Sequence, residues 1–129
     1  MTSIPDDVRE FATRLFDMAR NGDITLLDYV DQGVDADLSN EDGNSLLMFA
    51  AYHGHSDLVT GLVGKGADVD KLNGRGQTPL SGAVFKKYDD VVDALVAAGA
   101  DPHAGQPTAV QTAQMFEMTD TLKRLGVGE

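Results

Sequence analysis

The chain contains no cysteine, which excludes a disulfide framework, a thiol nucleophile and any zinc site that needs thiolates. Tryptophan is missing as well, and aromatic residues supply only 6% of the sequence. A core built without them is thin and made of small aliphatic side chains, not one bulky centre. Positive charge is scarce: Lys and Arg total 10 against 21 Asp and Glu, for a formal net charge of -11. Such a surface repels a phosphate backbone, so nucleic acid is not expected as a partner. No apolar run approaches membrane-spanning length, and no membrane partner is expected. The opening Met1-Thr2-Ser3-Ile4-Pro5-Asp6-Asp7 lacks the basic-then-apolar order of a secretory signal. A monomeric cytoplasmic protein is the expectation.

What the chain does have is a period. Gly33-Val34-Asp35, Gly66-Ala67-Asp68 and Gly99-Ala100-Asp101 are one phrase written three times at a spacing of 33 residues, and Gly43 recurs as Gly76. Units of that size cannot bury an apolar face alone, so they stack, and a stack offers an extended surface in place of a deep cleft. Within the unit from Asn73, the run Asn73-Gly74-Arg75-Gly76 reads as a tight turn that needs glycine conformations. Thr78-Pro79 then opens a short helix: the Thr hydroxyl caps free amides and Pro suits the first helical position. After a break near Lys87-Tyr88, Val91, Val92, Leu95 and Val96 line one face of a second helix that Gly99 stops. The preceding unit follows the same order, from Glu41-Asp42-Gly43 through cap Ser45, small pair Ala50-Ala51 and break Gly54-His55 to stop Gly66.

These residues resemble the ankyrin repeat, whose Thr-Pro-Leu-His motif stands here as Thr78-Pro79-Leu80-Ser81. The resemblance implies an all-α solenoid of stacked helix-turn-helix units with short β-turn fingers. It implies a single domain over 1–129, with an N-terminal cap at 1–39, central units at 40–72 and 73–105, and a C-terminal cap at 106–129. In the first unit an apolar stripe of Val8, Phe11, Ala12, Leu15, Phe16 and Ala19 predicts a helix from about Pro5 to Arg20, followed by a second helix from Ile24 to about Asp31. The last unit aligns when about three residues are dropped from its turn, placing Thr108, Ala113 and Leu125 under Thr78, Ala83 and Leu95. Its Gln111, Thr112, Gln114 and Glu117 then predict an unusually polar, water-facing helix.

Two departures from the family pattern carry expectations. Ser45-Leu46-Leu47-Met48 and Ser81 lack the motif's His, and the loss of its hydrogen bonds is expected to loosen the turns. Lys87 stands where Gly usually separates the two helices, at a cost of about 1 kcal/mol for a left-handed residue. Local strain or a longer first helix is expected there.

The resemblance also implies a binding strip formed by the turn tips and the first helices. The matching positions are Glu41, Asp42, Asn44, Tyr52 and His53 in the second unit and Arg75, Gln77, Phe85 and Lys86 in the third, with Gly74 beside them. Tyr52 and Phe85 share a repeat position and are expected side by side, either as binding anchors or as a cover over the seam between helices. Arg75, Lys86 and Lys87 gather three of the ten basic residues and either meet an acidic or phosphorylated partner or pair with nearby aspartates. The wider acidic surface is suited to steering a basic partner.

Chemistry finds little support. His53, His55 and Asp57 alternate as metal ligands would, yet His55 also falls at the family's ordinary turn. Ser45 and Thr78 have capping roles, no Gly-x-Ser-x-Gly elbow is present, and no strand precedes Gly74-Arg75-Gly76 to make it a phosphate loop. No catalytic residue, cofactor or metal is expected. The expected function is non-catalytic binding of another protein, with an accessory or inhibitory enzyme subunit that holds a metal or ligand as the alternative.

Overall fold

Ser45, Thr78 and Thr108 stand in extended backbone, and each side-chain oxygen accepts a hydrogen bond from the amide three residues on. Those contacts satisfy donors a helix start leaves free, and they fix where three of the helices begin. The computed structural model describes residues 6–127. Eight helices follow in order: α1 Asp6–Asn21, α2 Leu26–Asp31, α3 Leu46–Tyr52, α4 Ser56–Gly64, α5 Pro79–Lys86, α6 Asp89–Ala97, α7 Ala109–Met115 and α8 Thr119–Arg124. Extended pairing among the described residues is limited to isolated bridges, Ser39 with Ser45 and Gly105 with Thr108. The chain is an all-α solenoid.

The helices form two rows. α1, α3, α5 and α7 pack successively along one row, α2, α4, α6 and α8 along the other, and each helix also packs on its partner within the unit. α3 is wedged between α1 and α5, and so every residue from Leu46 to Ala51 is buried. Ala50, Ala83, Ala109 and Ala113 have no exposed surface, as close helix approach requires. The second row contributes Leu26, Leu58, Val59, Leu62, Val91, Val92 and Leu95, all fully buried. Each such side chain is worth about 1.5–3 kcal/mol of transfer free energy. The core is thus one continuous thin seam between the rows.

The missing motif histidines do not loosen the turns. Asn40 and Asn73 hold them: Asn73 Oδ1 accepts from the amides of Arg75 and Gln77 at 2.9 and 3.0 Å, and Asn40 Oδ1 accepts from those of Asp42 and Asn44 at 3.0 and 2.9 Å. Adjacent fingers are tied by Gly74 N–H to Asp42 O at 2.8 Å and by Gln106 N–H to Gly76 O at 2.8 Å. Ser81, in the histidine's place, completes a capping box with Thr78, and Gln111 does the same with Thr108.

Two sequence expectations need adjustment, and the one at Lys87 holds. Val8 and Ile24 are about half exposed, so the apolar stripe of α1 buries Leu15, Phe16 and Ala19 but not its first turn, and α2 starts two residues late at Leu26. Lys87 does adopt the left-handed conformation, at φ 65°, where Gly54 takes φ 83° in the unit before; Glu117 repeats it at φ 54°. α5 is also one residue longer than α3, eight against seven. The helix start at Pro5 and the opening Met1 to Pro5 lie outside the described residues.

Candidate functional site

The asparagine-clamped fingers and the ends of α3 and α5 enclose an open groove of about 560 Å³. Seven of the nine positions expected from the sequence line it: Glu41, Asp42, Asn44, Tyr52, His53, Arg75 and Gln77. Asn73 organises this wall, since its Nδ2 donates to Asn44 Oδ1 at 2.9 Å and to Gln77 Oε1 at 2.8 Å. Asn44 and Gln77 are therefore oriented by the protein itself, while Glu41, Asp42 and Arg75 project freely at the tips. Phe49 forms part of the floor, and the Arg20 guanidinium lies 4.4 Å above its ring.

His53 sits at the foot of the groove with its basicity lowered, first by partial desolvation and then by the nearby charges of His55, Arg20 and Lys86. Its ring meets that of Tyr52 edge-on at 5.9 Å. His55 points elsewhere: its Nε2 is 2.6 Å from the Arg20 carbonyl and its ring lies against Gly22, joining the first two units. That bond engages one ring nitrogen, and the other faces Gly22. Among the described residues no three His, Asp or Glu side chains converge as a metal set.

Phe85 and Lys86 lie outside the large groove. Lys86 reaches back toward α3, its ammonium 5.1 Å from the centre of the Tyr52 ring. Phe85 turns the other way, toward Phe116, with ring centres 5.9 Å apart at 61°. Tyr52 and Phe85 do share a smaller cleft of about 220 Å³, whose base is Ser81 and Gly82 and whose far side is Pro107, Thr112, Met115 and Phe116. Gly82 makes room for this: a side-chain carbon there would stand 3.2 Å from the Tyr52 ring. Tyr52 is consequently half-buried, whereas Phe85 is 53% exposed. The first is both seam cover and groove wall; the second is a free aromatic.

Met115 and Phe116 escaped the sequence reading. Met115 is 66% and Phe116 49% exposed, so the end of α7 is apolar where a polar helix was expected. Thr112, counted among the polar residues, is buried and bonds back to the Thr108 carbonyl at 2.9 Å. A signal was present: with the shortened turn allowed for, Met115 occupies the repeat position of Tyr52 and Phe85.

Ion pairs occur on both rows, with Arg20 meeting Asp17 at 2.6 Å within α1. On the second row Lys65 meets Asp31 at 2.5 Å and Arg124 meets Asp93 at 2.5 Å, each bridging neighbouring units. The Asp93 hydrogen bond and charge, with Asp89 and Asp120 behind them, raise the basicity of Arg124 further. Arg75, Lys86 and Lys87 form no ion pair among the described residues. Arg9, Arg14, Lys71 and Lys123 are likewise unpaired among these residues.

A family model of ankyrin repeats, in three copies, matches residues 15–106. The ankyrin repeat protein PA3287 of Pseudomonas aeruginosa is 46% identical over 54 residues, which is 41% of this chain and 32% of that protein. The crystal structure of the human ASB11 ankyrin repeat domain superposes with a TM-score of 0.74 at 25% identity, covering 86% of this chain and 52% of the other. The chain thus spans about a third of the curated relative and about half of the structural one. No helix among the described residues is long and apolar enough to cross a membrane.

Proposed function

The chain belongs to the ankyrin-repeat family, and from that premise we propose that residues 1–129 form one repeat domain that binds a partner protein through its fingers and first-row helices. Repeats of this family are generally protein-protein interaction modules, and the fold is typically non-catalytic. One observation carries the reading for this chain. Phe85, Met115 and Phe116, three of the six large apolar side chains exposed among the described residues, lie on the same strip as Arg75, Lys86 and Lys87, cations that form no ion pair there. A patch of that kind is stabilised when a partner covers it.

The contact residues we assign are Glu41, Asp42, Asn44, Tyr52, His53, Arg75, Gln77, Phe85 and Lys86. The mechanism is occupancy: the stack holds or masks a partner's surface and performs no bond chemistry. Asn44 and Gln77, already fixed by Asn73, offer hydrogen bonds at little entropic cost. Phe85 and Lys86 supply the anchor and the charge.

The test uses affinity capture from native lysate, followed by identification of the retained protein. Phe85→Ala with Lys86→Ala touches only exposed side chains, and it is expected to abolish capture of the partner while helix content and melting stay unchanged. Tyr52→Ala added to the pair should deepen the loss but also lower the melting temperature, because that ring covers Gly82. Undiminished retention by the first double variant would overturn the assignment.

A further inference from the structure

The strip changes chemistry from one unit to the next. Its second unit presents carboxylates at the finger tip, Glu41 and Asp42, both exposed. The third presents Arg75, Lys86 and Lys87, exposed and without carboxylate partners among the described residues. The fourth presents Met115 and Phe116 across a cleft from Phe85. At about 220 Å³ the cleft lies below the usual range for a cofactor or drug-sized ligand, roughly 300–1,000 Å³. It suits a single large side chain.

We infer that this cleft between α5 and α7 receives one large apolar side chain from an acidic partner segment, whose carboxylates meet Lys86, Lys87 and Arg75. The inference rests on the protein-binding reading above and specifies the partner's chemistry. Two arguments fix the sign of the charge. The Lys86 ammonium is held over the Tyr52 ring and not by a carboxylate, so an incoming anion gains a charge-assisted contact without breaking an existing pair. A chain with net charge -11 disfavours an acidic segment over most of its surface, which favours docking where Arg75, Lys86 and Lys87 lie in one unit.

The register follows from the same placement. Glu117 occupies, on the turn after α7, the position Lys87 holds after α5, so the carboxylates of the segment belong on the α5 side of its anchor. Glu41 and Asp42 at the far end reject further acid and favour a basic or polar residue there. Read along the stack from the second unit, the segment is basic or polar, then acidic, then apolar.

A displayed library of short random peptides, selected against the full chain, tests this. Peptides carrying Leu, Ile, Phe or Trp beside two or more Asp or Glu residues are expected, with binding that weakens as salt is raised. Lys86→Glu with Lys87→Glu should turn the selected charge from acidic to basic. Phe85→Ser with Phe116→Ser should weaken the selected peptides by about tenfold or more, with circular dichroism and melting unchanged. Basic or uncharged winners, winners indifferent to both variants, or an absence of enrichment would each overturn the inference. Those outcomes leave the broader reading standing if a lysate partner is still lost on Phe85→Ala with Lys86→Ala; if that partner is retained, the broader reading falls independently.

Discussion

At the N-terminal end of the stack α1 runs 16 residues and buries Leu15, Phe16 and Ala19 against the second unit, whereas at the C-terminal end α7 runs seven residues and leaves Met115 and Phe116 in solvent. Both ends carry large apolar side chains, and both belong to the first row of helices. The difference lies in what each end does with them. Phe16 rests 5.5 Å from Phe49 inside the core; Phe116 rests 5.9 Å from Phe85 outside it. One aromatic contact seals a seam between units, and the other lies on an open surface. Similar residues at corresponding ends of a repeat array thus divide between buried core and exposed surface according to which neighbour covers them.

Truncation is the largest lever on that contrast. Leu15→Ala is expected to cost about 2–5 kcal/mol in denaturant unfolding, while Phe116→Ala should fall within about 0.5 kcal/mol of the parent. Comparable losses at the two sites would erase the distinction. The finger clamps give the next largest effect. Asn73→Ala removes four side-chain hydrogen bonds and Asn40→Ala two. The first should therefore destabilise by about 1–3 kcal/mol and the second by about 1 kcal/mol, with faster amide exchange at Arg75 and Gln77 in the former. Equal costs would mean that the bonds from Asn73 to Asn44 and Gln77 carry no weight.

Lys87 offers a smaller effect of opposite sign. Replacing it with Gly relieves a left-handed side chain and should raise stability by about 0.5–1 kcal/mol, whereas Gly54→Ala at the equivalent site should lower it. A loss on Lys87→Gly would show that its side chain contributes more than its backbone costs. The smallest effect is the pH response of His53. Its folded-state basicity is lowered, so the folded protein binds fewer protons than the unfolded chain once the pH drops below the usual histidine value. The stability contribution is then present above that value and is lost as acid is added. His53→Gln should flatten the slope of stability against pH just below 6.5, and an unchanged slope would remove the effect.

Much of this architecture was legible in the sequence because it is written in local chemistry. Ser45, Thr78 and Thr108 cap helices, Gly54 and Lys87 mark the same break in successive units, and Ala50 and Ala83 mark close approach; each depends on neighbours a few residues away. The grooves depend on residues a whole unit apart. The half-burial of Tyr52 is set by Gly82, the hold on Asn44 is set by Asn73, and His55 is drawn from its supposed ligand partners by the Arg20 carbonyl. Met115 and Phe116 were hidden by polar neighbours and by the shortened last turn, which shifts them off the 33-residue period. Periodicity reveals which positions correspond, and coordinates reveal which of them are covered.

Hydrogen exchange on the complex with a captured partner tests the central claim most directly. The account predicts that protection on binding gathers at the fingers and at the ends of α3, α5 and α7, around Tyr52, Phe85, Lys86 and Phe116, with α4, α6 and α8 unaffected. Protection concentrated on that second row, with the strip exchanging as in the free chain, would contradict it.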